Sequence, residues 1–266
     1  MNKSATIDFA TATEARDVKG PAHTQALLDL VAGEARDSLL GVHEVLRREL
    51  PQGRLAIYEA GGGSSSFLPM DVLGRSHVTV VDIDEDQVRN NTYADDAILG
   101  DVQTYRFGPE TFDVVICYNV IEHLPDVEAA LLNFRDALKH GGMILIGAPN
   151  PHSLSGVVTK YSPHWFHVWF YRNIRGIKTA GLPGEPPFPT FFHPLVTLPK
   201  LETFAAAHGL ETIYRREVES PRYPEMRERK PLFAALVDAA AALMNAILPR
   251  GTDVRRGDYH VILRKR

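Results

Sequence analysis

Three consecutive glycines, Gly61, Gly62 and Gly63, stand one residue beyond Glu59 in the stretch YEAGGGSSSF, residues 58–67, directly behind the apolar run LAIY. A strand, a glycine-rich turn and a helix together present backbone N–H groups and a helix N-terminus to a ligand carrying negative charge. Glycine suits such a turn because a side chain would block close approach and because the turn can require positive φ. Asp82 ends a second apolar run, VTVVDID, 21 residues after Gly61. At that spacing a carboxylate can accept hydrogen bonds from a ribose diol, which points to a nucleoside.

The ordinary nucleotide fingerprints do not fit. In a dinucleotide loop of the form G-x-G-x-x-G, glycine would stand where this chain has Ser66 and Phe67, and no Tyr-x-x-x-Lys pair follows the fourth or fifth expected strand. The lysine-bearing phosphate loop is absent as well.

Positioning these residues requires strands that alternate with helices. Apolar strands are expected at 54–60, 77–84, 97–101, 112–120 and 141–150, separated by helices at 65–73, 85–93 and 126–140. Nearly continuous apolar strands between amphipathic helices predict a parallel sheet covered on both faces, that is, a doubly wound α/β core over residues 52–150. Ahead of it, residues 1–51 form a helical region whose apolar positions (Leu27, Leu30, Val31, Ala35, Leu39, Val42) predict a helix or a helix pair broken near Gly33 or Gly41. Behind it, residues 151–199 form an aromatic, proline-rich insertion of the kind that makes a lid. Residues 200–266 complete the core with a helix stopped by Gly209, strands at 211–219 and 259–266, and an inserted helix at 231–248.

Taken together, Glu59-x-Gly61-x-Gly63, VVDID ending at Asp84, LGDV at 99–102, FDVVICYNVIEHLPD at 112–126 and LKHGGMILIGAPN at 138–150 resemble, in order and interval, the class I S-adenosylmethionine-dependent methyltransferases. The resemblance covers residues 54–150 and implies the Rossmann-like methyltransferase fold, with S-adenosyl-L-methionine as cofactor. It implies roles residue by residue. Glu59 and Ala60 lead into the loop, with Glu59 organising it and the amino group of the methionine portion. Gly61, Gly62 and Gly63 let the backbone pass close to the cofactor. Asp82 binds the ribose hydroxyls, Ile83 packs on the adenine face, and Asp101 with Val102 meets the adenine amino group. Tyr118 and Asn119 line the methionine portion.

Methyl transfer is an in-line displacement at a sulfonium carbon, so alignment and a dry cavity supply most of the catalysis, and an oxygen nucleophile also needs a base. His123 lies just beyond the fourth strand, where it has three readings: proton acceptor, metal ligand with Glu122, or structural cover. Asn119 and Val120 stand where some ubiquinone-pathway O-methyltransferases carry metal-binding acids, so no metal is expected. His167 and His193 in the lid are further candidates for the base. The lid's Tyr161, His164, Trp165 and Phe170 form an aromatic set suited to an apolar or ring-bearing acceptor. The expected activity is methyl transfer to a small molecule, most readily at oxygen. The alternatives are a catalytically silent scaffold of the same fold and, more weakly, a nicotinamide-dependent oxidoreductase.

Composition bounds the partners. With 266 residues, 44% hydrophobic, 23% charged and a formal net charge of −4, the chain holds one sizeable core and no global basic field, which argues against nucleic acid. A single cysteine, Cys117, and an N-terminus without an apolar signal core predict a cytoplasmic protein, monomeric or homodimeric. The 231–248 helix carries Asp238 at its middle and ends before Pro249, so it is expected not to span a bilayer, while peripheral membrane contact stays open.

Overall fold

The computed structural model describes residues 33–63, 66–173, 176–182, 187–191, 193–220, 222–248 and 253–266. The expected helical positions Leu27, Leu30 and Val31 lie outside the described residues.

Seven strands form one sheet: β1 (Leu55–Ala60), β2 (Ser76–Asp82), β3 (Asp96–Leu99), β4 (Phe112–Tyr118), β5 (Leu138–Pro149), β6 (Leu210–Glu219) and β7 (Arg256–Lys265). Their order is β3-β2-β1-β4-β5-β7-β6. The first five run parallel, and β7 runs antiparallel to both β5 and β6. The chain reverses direction across the sheet between β1 and β4, and there the carboxyl ends of the strands open the crevice in which such folds bind ligands.

Strand periodicity sorts β1 into two cores. Ala56, Tyr58 and Ala60 face one side with Val115, Cys117 and Phe134, while Leu55 and Ile57 face the other with Val42, Leu46 and Val80. Helix α1 (Gly33–Glu49) covers the second face through Leu39, Val42 and Leu46. It starts at Gly33 and runs through Gly41 without a break, so of the alternatives the sequence left open a break at Gly41 is excluded. A Cβ on Gly41 would sit 2.8 Å from the Tyr214 hydroxyl, so glycine here admits a neighbour and does not end the helix. Each fully buried large apolar side chain contributes about 1.5–3 kcal/mol and an exposed ion pair about 0–1, so the two cores hold the sheet together far more than its surface charges do.

The remaining helices are α2 (Met70–Leu73), α3 (Glu85–Asn90), α4 (Val127–Ala137), α5 (Leu154–Tyr161), α6 (His164–Asn173), α7 (Leu198–Ala207), α8 (Arg222–Arg229) and α9 (Pro231–Ile247). Side-chain caps start several of them. Asp84 accepts from the N–H groups of Asp86 and Gln87, Asp126 from Ala129, and Ser153 from Gly156. Three expectations need correction. Helix α2 begins at Met70, after Pro69, instead of at residue 65. The helix expected through 140 stops at Ala137, because Leu138 already pairs with Phe112 before the chain bulges through Gly141 (φ +75°) and rejoins β4 at Met143. Finally, the insertion after residue 150 contains two helices, α5 and α6, and α8 precedes α9 where no helix was expected.

Candidate functional site at the glycine loop

The glycine loop leaves β1 in a conformation that only glycine adopts without strain. Gly61 has φ +65° and Gly63 φ +55°, both in the left-handed region. Gly61 N–H donates to the Val81 carbonyl at 2.7 Å, and a Cβ on Gly61 would lie 2.5 Å from Val120 Cγ2. A Cβ on Gly62 would meet the Tyr93 hydroxyl at 2.7 Å. The loop is therefore pressed onto β2 on one side and onto the end of β4 on the other.

Beneath the loop lies Glu59, fully buried. Its carboxylate accepts from the Ser66 hydroxyl and, at 2.7 Å, from the Tyr93 hydroxyl. Burial pushes its pKa up to about 7, and the two hydroxyl donors pull the other way. Asn91 completes the support: its amide donates to the Gly63 carbonyl at 2.6 Å, while its own oxygen accepts from the N–H groups of Tyr93 and Ala94. Ser66, Asn91 and Tyr93 were not singled out from the sequence as site residues, and only Ser66 falls inside the glycine-rich stretch.

Asp82, almost fully buried at the end of β2, accepts from Gly63 N–H at 3.1 Å and from Asp84 N–H at 2.9 Å. A carboxylate has about four acceptor positions, so two remain for a ligand. Ile83, the next residue, holds its side chain 75% exposed beside this carboxylate. Gly100 N–H donates to the Asp82 carbonyl at 2.9 Å and so brings Asp101 to the end of the neighbouring strand. The Asp101 carboxylate accepts from the Gln103 backbone N–H and side-chain amide, both at 2.9 Å, and Gln103 in turn accepts from Asp126 N–H. Ala60 and Val102 are buried in the core, so they can reach a ligand only through their backbone.

The end of β4 is shaped by two different demands. Asn119 takes φ +54°, uncommon outside glycine, while its N–H donates to the Gly147 carbonyl at 2.8 Å. The ring of Tyr118 stacks on Phe67 with centroids 4.0 Å apart and crosses β5 to reach His260 Nε2 on β7 at 2.7 Å. It can cross because Gly147 has no side chain: a Cβ there would lie 2.3 Å from the ring. His260 Nδ1 meets Ser38 Oγ of α1 at 2.7 Å, and burial holds His260 down at about 4. Nothing in the sequence announced this chain from β4 through β7 to α1.

The three candidate histidines have different hydrogen-bond states. His123 Nδ1 lies 2.7 Å from the Pro189 carbonyl, which can only accept, so Nδ1 carries the proton and the lone pair of the neutral ring is on Nε2. Burial lowers the His123 pKa and keeps the ring neutral, while the Pro189 bond raises it. His123 Nε2 is 3.7 Å from Glu122 Oε1, and Phe191 N–H donates to the Glu122 carbonyl at 2.8 Å, so residues 189–191 are fastened over this turn. His193 spends its Nδ1 lone pair on Leu195 N–H at 3.2 Å. His167 Nε2 sits 3.1 Å from Ser162 Oγ, at the junction of α5 and α6. Among the lid aromatics, Tyr161, His164 and Trp165 face solvent and Phe170 is half-buried. Among the described residues no group of three or more His, Cys, Asp or Glu could hold a metal ion.

Residues 58–146 match a family model described as a methyltransferase domain. Among solved structures, the chain is similar to the 4+2 cyclase SpnF (15% identity, covering 87% of this chain and 82% of that one, TM-score 0.51). It is similar also to an S-adenosylmethionine-dependent methyltransferase from Mesorhizobium loti (16% identity, 85% and 100% covered, TM-score 0.50). No curated protein matches the chain. The strand order and the glycine loop are those of the Rossmann-like methyltransferase fold, and residues 58–146 within it match the methyltransferase domain. The family match spans the strands β1 to β5 that carry the loop, Asp82, Asp101 and Asn119.

Proposed function

We propose that the chain transfers a methyl group from S-adenosylmethionine to an oxygen of an apolar or ring-bearing small molecule. The observation that supports this most is the pairing of Asp82 with the glycine loop: a buried carboxylate that fixes Gly63 and keeps acceptor capacity for the two hydroxyls of a ribose. When bound, the cofactor supplies an electrophilic methyl group on sulfur. Asp82 orients the ribose, and Ile83 presents an apolar surface for the adenine. Asp101 faces the adenine edge, with Gln103 keeping its carboxylate in place. Gly61 to Gly63 clear the space the methionine portion needs, with Glu59 holding the loop from below and the strained Asn119 turn flanking it.

Of the three histidines, His123 suits the role of proton acceptor best, because its lone pair is on Nε2 and burial favours its neutral form. His193, whose lone pair caps the turn at Leu195, suits it least, and His167 stands between them. Tyr161, His164, Trp165 and Phe170 are proposed as acceptor contacts once the insertion meets its substrate.

Labelled S-adenosylmethionine incubated with the chain and an organic extract of cells tests the reading. Label in a base-stable, ether-type product, lost in Asp82→Ala, is expected. Binding of S-adenosylhomocysteine without any transfer would favour the silent scaffold, and label on nitrogen would remove the oxygen assignment.

A further inference from the structure

Helix α9 is folded with its large side chains outward. Ala234 and Ala241, seven residues apart, are buried against the body, whereas Leu232, Leu236, Leu243 and Ile247 form a stripe at helical spacing on the opposite side, with Leu236 66% and Leu243 68% exposed. A helix that served only its own core would reverse that arrangement. Its one charged residue, Asp238, pairs with Arg227 of α8 at 3.0 Å, and Arg227 also binds Glu219.

The inward side of α9 is joined to the start of the lid. Asn245, near the end of α9, accepts from Val254 N–H at 2.9 Å, and the Val254 carbonyl accepts from the N–H of Leu154, the first residue of α5, at 2.7 Å. On α5 and α6, Tyr161 is 78% and Trp165 68% exposed, with Trp169 also in solvent. Residues 151–182 contain Lys160, Arg172, Arg175 and Lys178 and no Asp or Glu at all. Exposed aliphatics, interfacial tryptophan and tyrosine, and cations without carboxylates are what an anionic bilayer surface recognises. A two-fold dimer through this face would set the cations of residues 151–182 against their own copies, with no Asp or Glu in that stretch to answer them. Among the described residues no helix is long and apolar enough to cross a membrane, so the contact lies in the interface.

We propose that α5, α6 and α9 form one face that docks on anionic lipid bilayers. It shares Tyr161 and Trp165 with the acceptor contacts proposed above but involves no cofactor-loop residue, so its failure would leave the methyl-transfer reading untouched.

The chain's only two tryptophans, Trp165 and Trp169, both lie on α6, so intrinsic fluorescence reports this face directly. The full chain is mixed with vesicles of phosphatidylcholine alone, or of phosphatidylcholine with phosphatidylglycerol, and followed by emission and co-sedimentation. The expected result is a blue shift and quenching by brominated acyl chains on the anionic vesicles, weakening as salt rises. Lys160→Gln and Lys178→Gln should each reduce partition about fivefold. Leu236→Glu with Leu243→Glu should abolish it while leaving S-adenosylhomocysteine binding and circular dichroism unchanged. No shift on anionic vesicles would overturn the proposal, as would wild-type partition by the double glutamate variant. Equal partition onto neutral vesicles would also overturn it, and so would a concentration-dependent dimer that buries the tryptophans in the absence of lipid.

Discussion

At the glycine loop, polar groups meet one another: Glu59 receives Ser66 and Tyr93, Asp82 receives Gly63 and Asp84, and Asn91 ties the Gly63 carbonyl down. Along α5, α6 and α9 the reverse holds, with tryptophan, tyrosine and leucine side chains left in water. The first region is preorganised, as electrostatic recognition of a fixed cofactor requires, because donors and acceptors held in place cost little to arrange when the ligand arrives. In the second, the large apolar groups stay exposed among the described residues, and the proposed bilayer contact would cover them. On the proposed reading, cofactor recognition rests on hydrogen bonds internal to the fold, and recognition of the bilayer on exposed apolar surface.

Removing the acceptor at the centre of the first region gives the largest expected effect. Asp82→Ala deletes the proposed ribose acceptor and releases Gly63. At about 1.5–3 kcal/mol for each hydrogen bond to a charged group, S-adenosylhomocysteine binding should weaken at least about 100-fold by calorimetry. A loss under tenfold would show that this carboxylate is not where the cofactor is held.

Next comes Gly61→Ala, which combines a left-handed backbone costing about 1–2 kcal/mol with a clash against Val120 costing about 1–3. Urea unfolding should show the sum, and adding Val120→Ala should recover only the clash. Full recovery would mean that the backbone conformation contributes nothing.

Glu59 gives a pH signature of about 3 kcal/mol. Its pKa rises on folding from 4.5 to about 7, so the folded state favours the neutral acid. The stability this confers is complete below pH 4.5 and is lost as the pH rises through 7. The unfolding free energy of wild type relative to Glu59→Gln should therefore fall across that window, and a flat difference would contradict the burial of this carboxyl.

A smaller effect, about 1 kcal/mol, is expected from Tyr118→Phe, which removes the hydroxyl that reaches His260. His260 is lowered from 6.5 to about 4, so the stability of its neutral form is present above pH 6.5 and lost as the pH falls toward 4. The Tyr118→Phe deficit should accordingly hold down to about pH 4, where the folded imidazole protonates, and shrink below it in equilibrium unfolding. Smallest in binding is His123→Ala: affinity for S-adenosylhomocysteine should stay within about twofold while turnover drops 10²–10⁴-fold, the usual worth of a general base. Equal losses in both quantities would make His123 a structural cover.

The legible part of the site was the part built from neighbours in sequence. Gly61, Gly63 and Asp82 announce themselves because the turn, the strand and the acid lie at fixed intervals along one β-α-β unit, and the strands that carry them are apolar over their whole length. Tyr93 and Asn91 stayed hidden because they meet the loop from about 30 positions away, in a segment whose composition is that of any polar turn. The Tyr118 contact with His260 was harder still, since it depends on β7 entering the sheet beside β5 and on the missing side chain of Gly147. Periodicity found α9 but could not say which face turns inward. Its alanines and leucines are equally apolar, and only packing distinguishes them.

Calorimetric titration of the intact chain with S-adenosylhomocysteine, beside NAD, tests the central claim most directly. The glycine loop and Asp82 predict saturable binding of the sulfur nucleoside at a single site and no heat with NAD. No heat with S-adenosylhomocysteine, or tight binding of NAD in its place, would contradict the account.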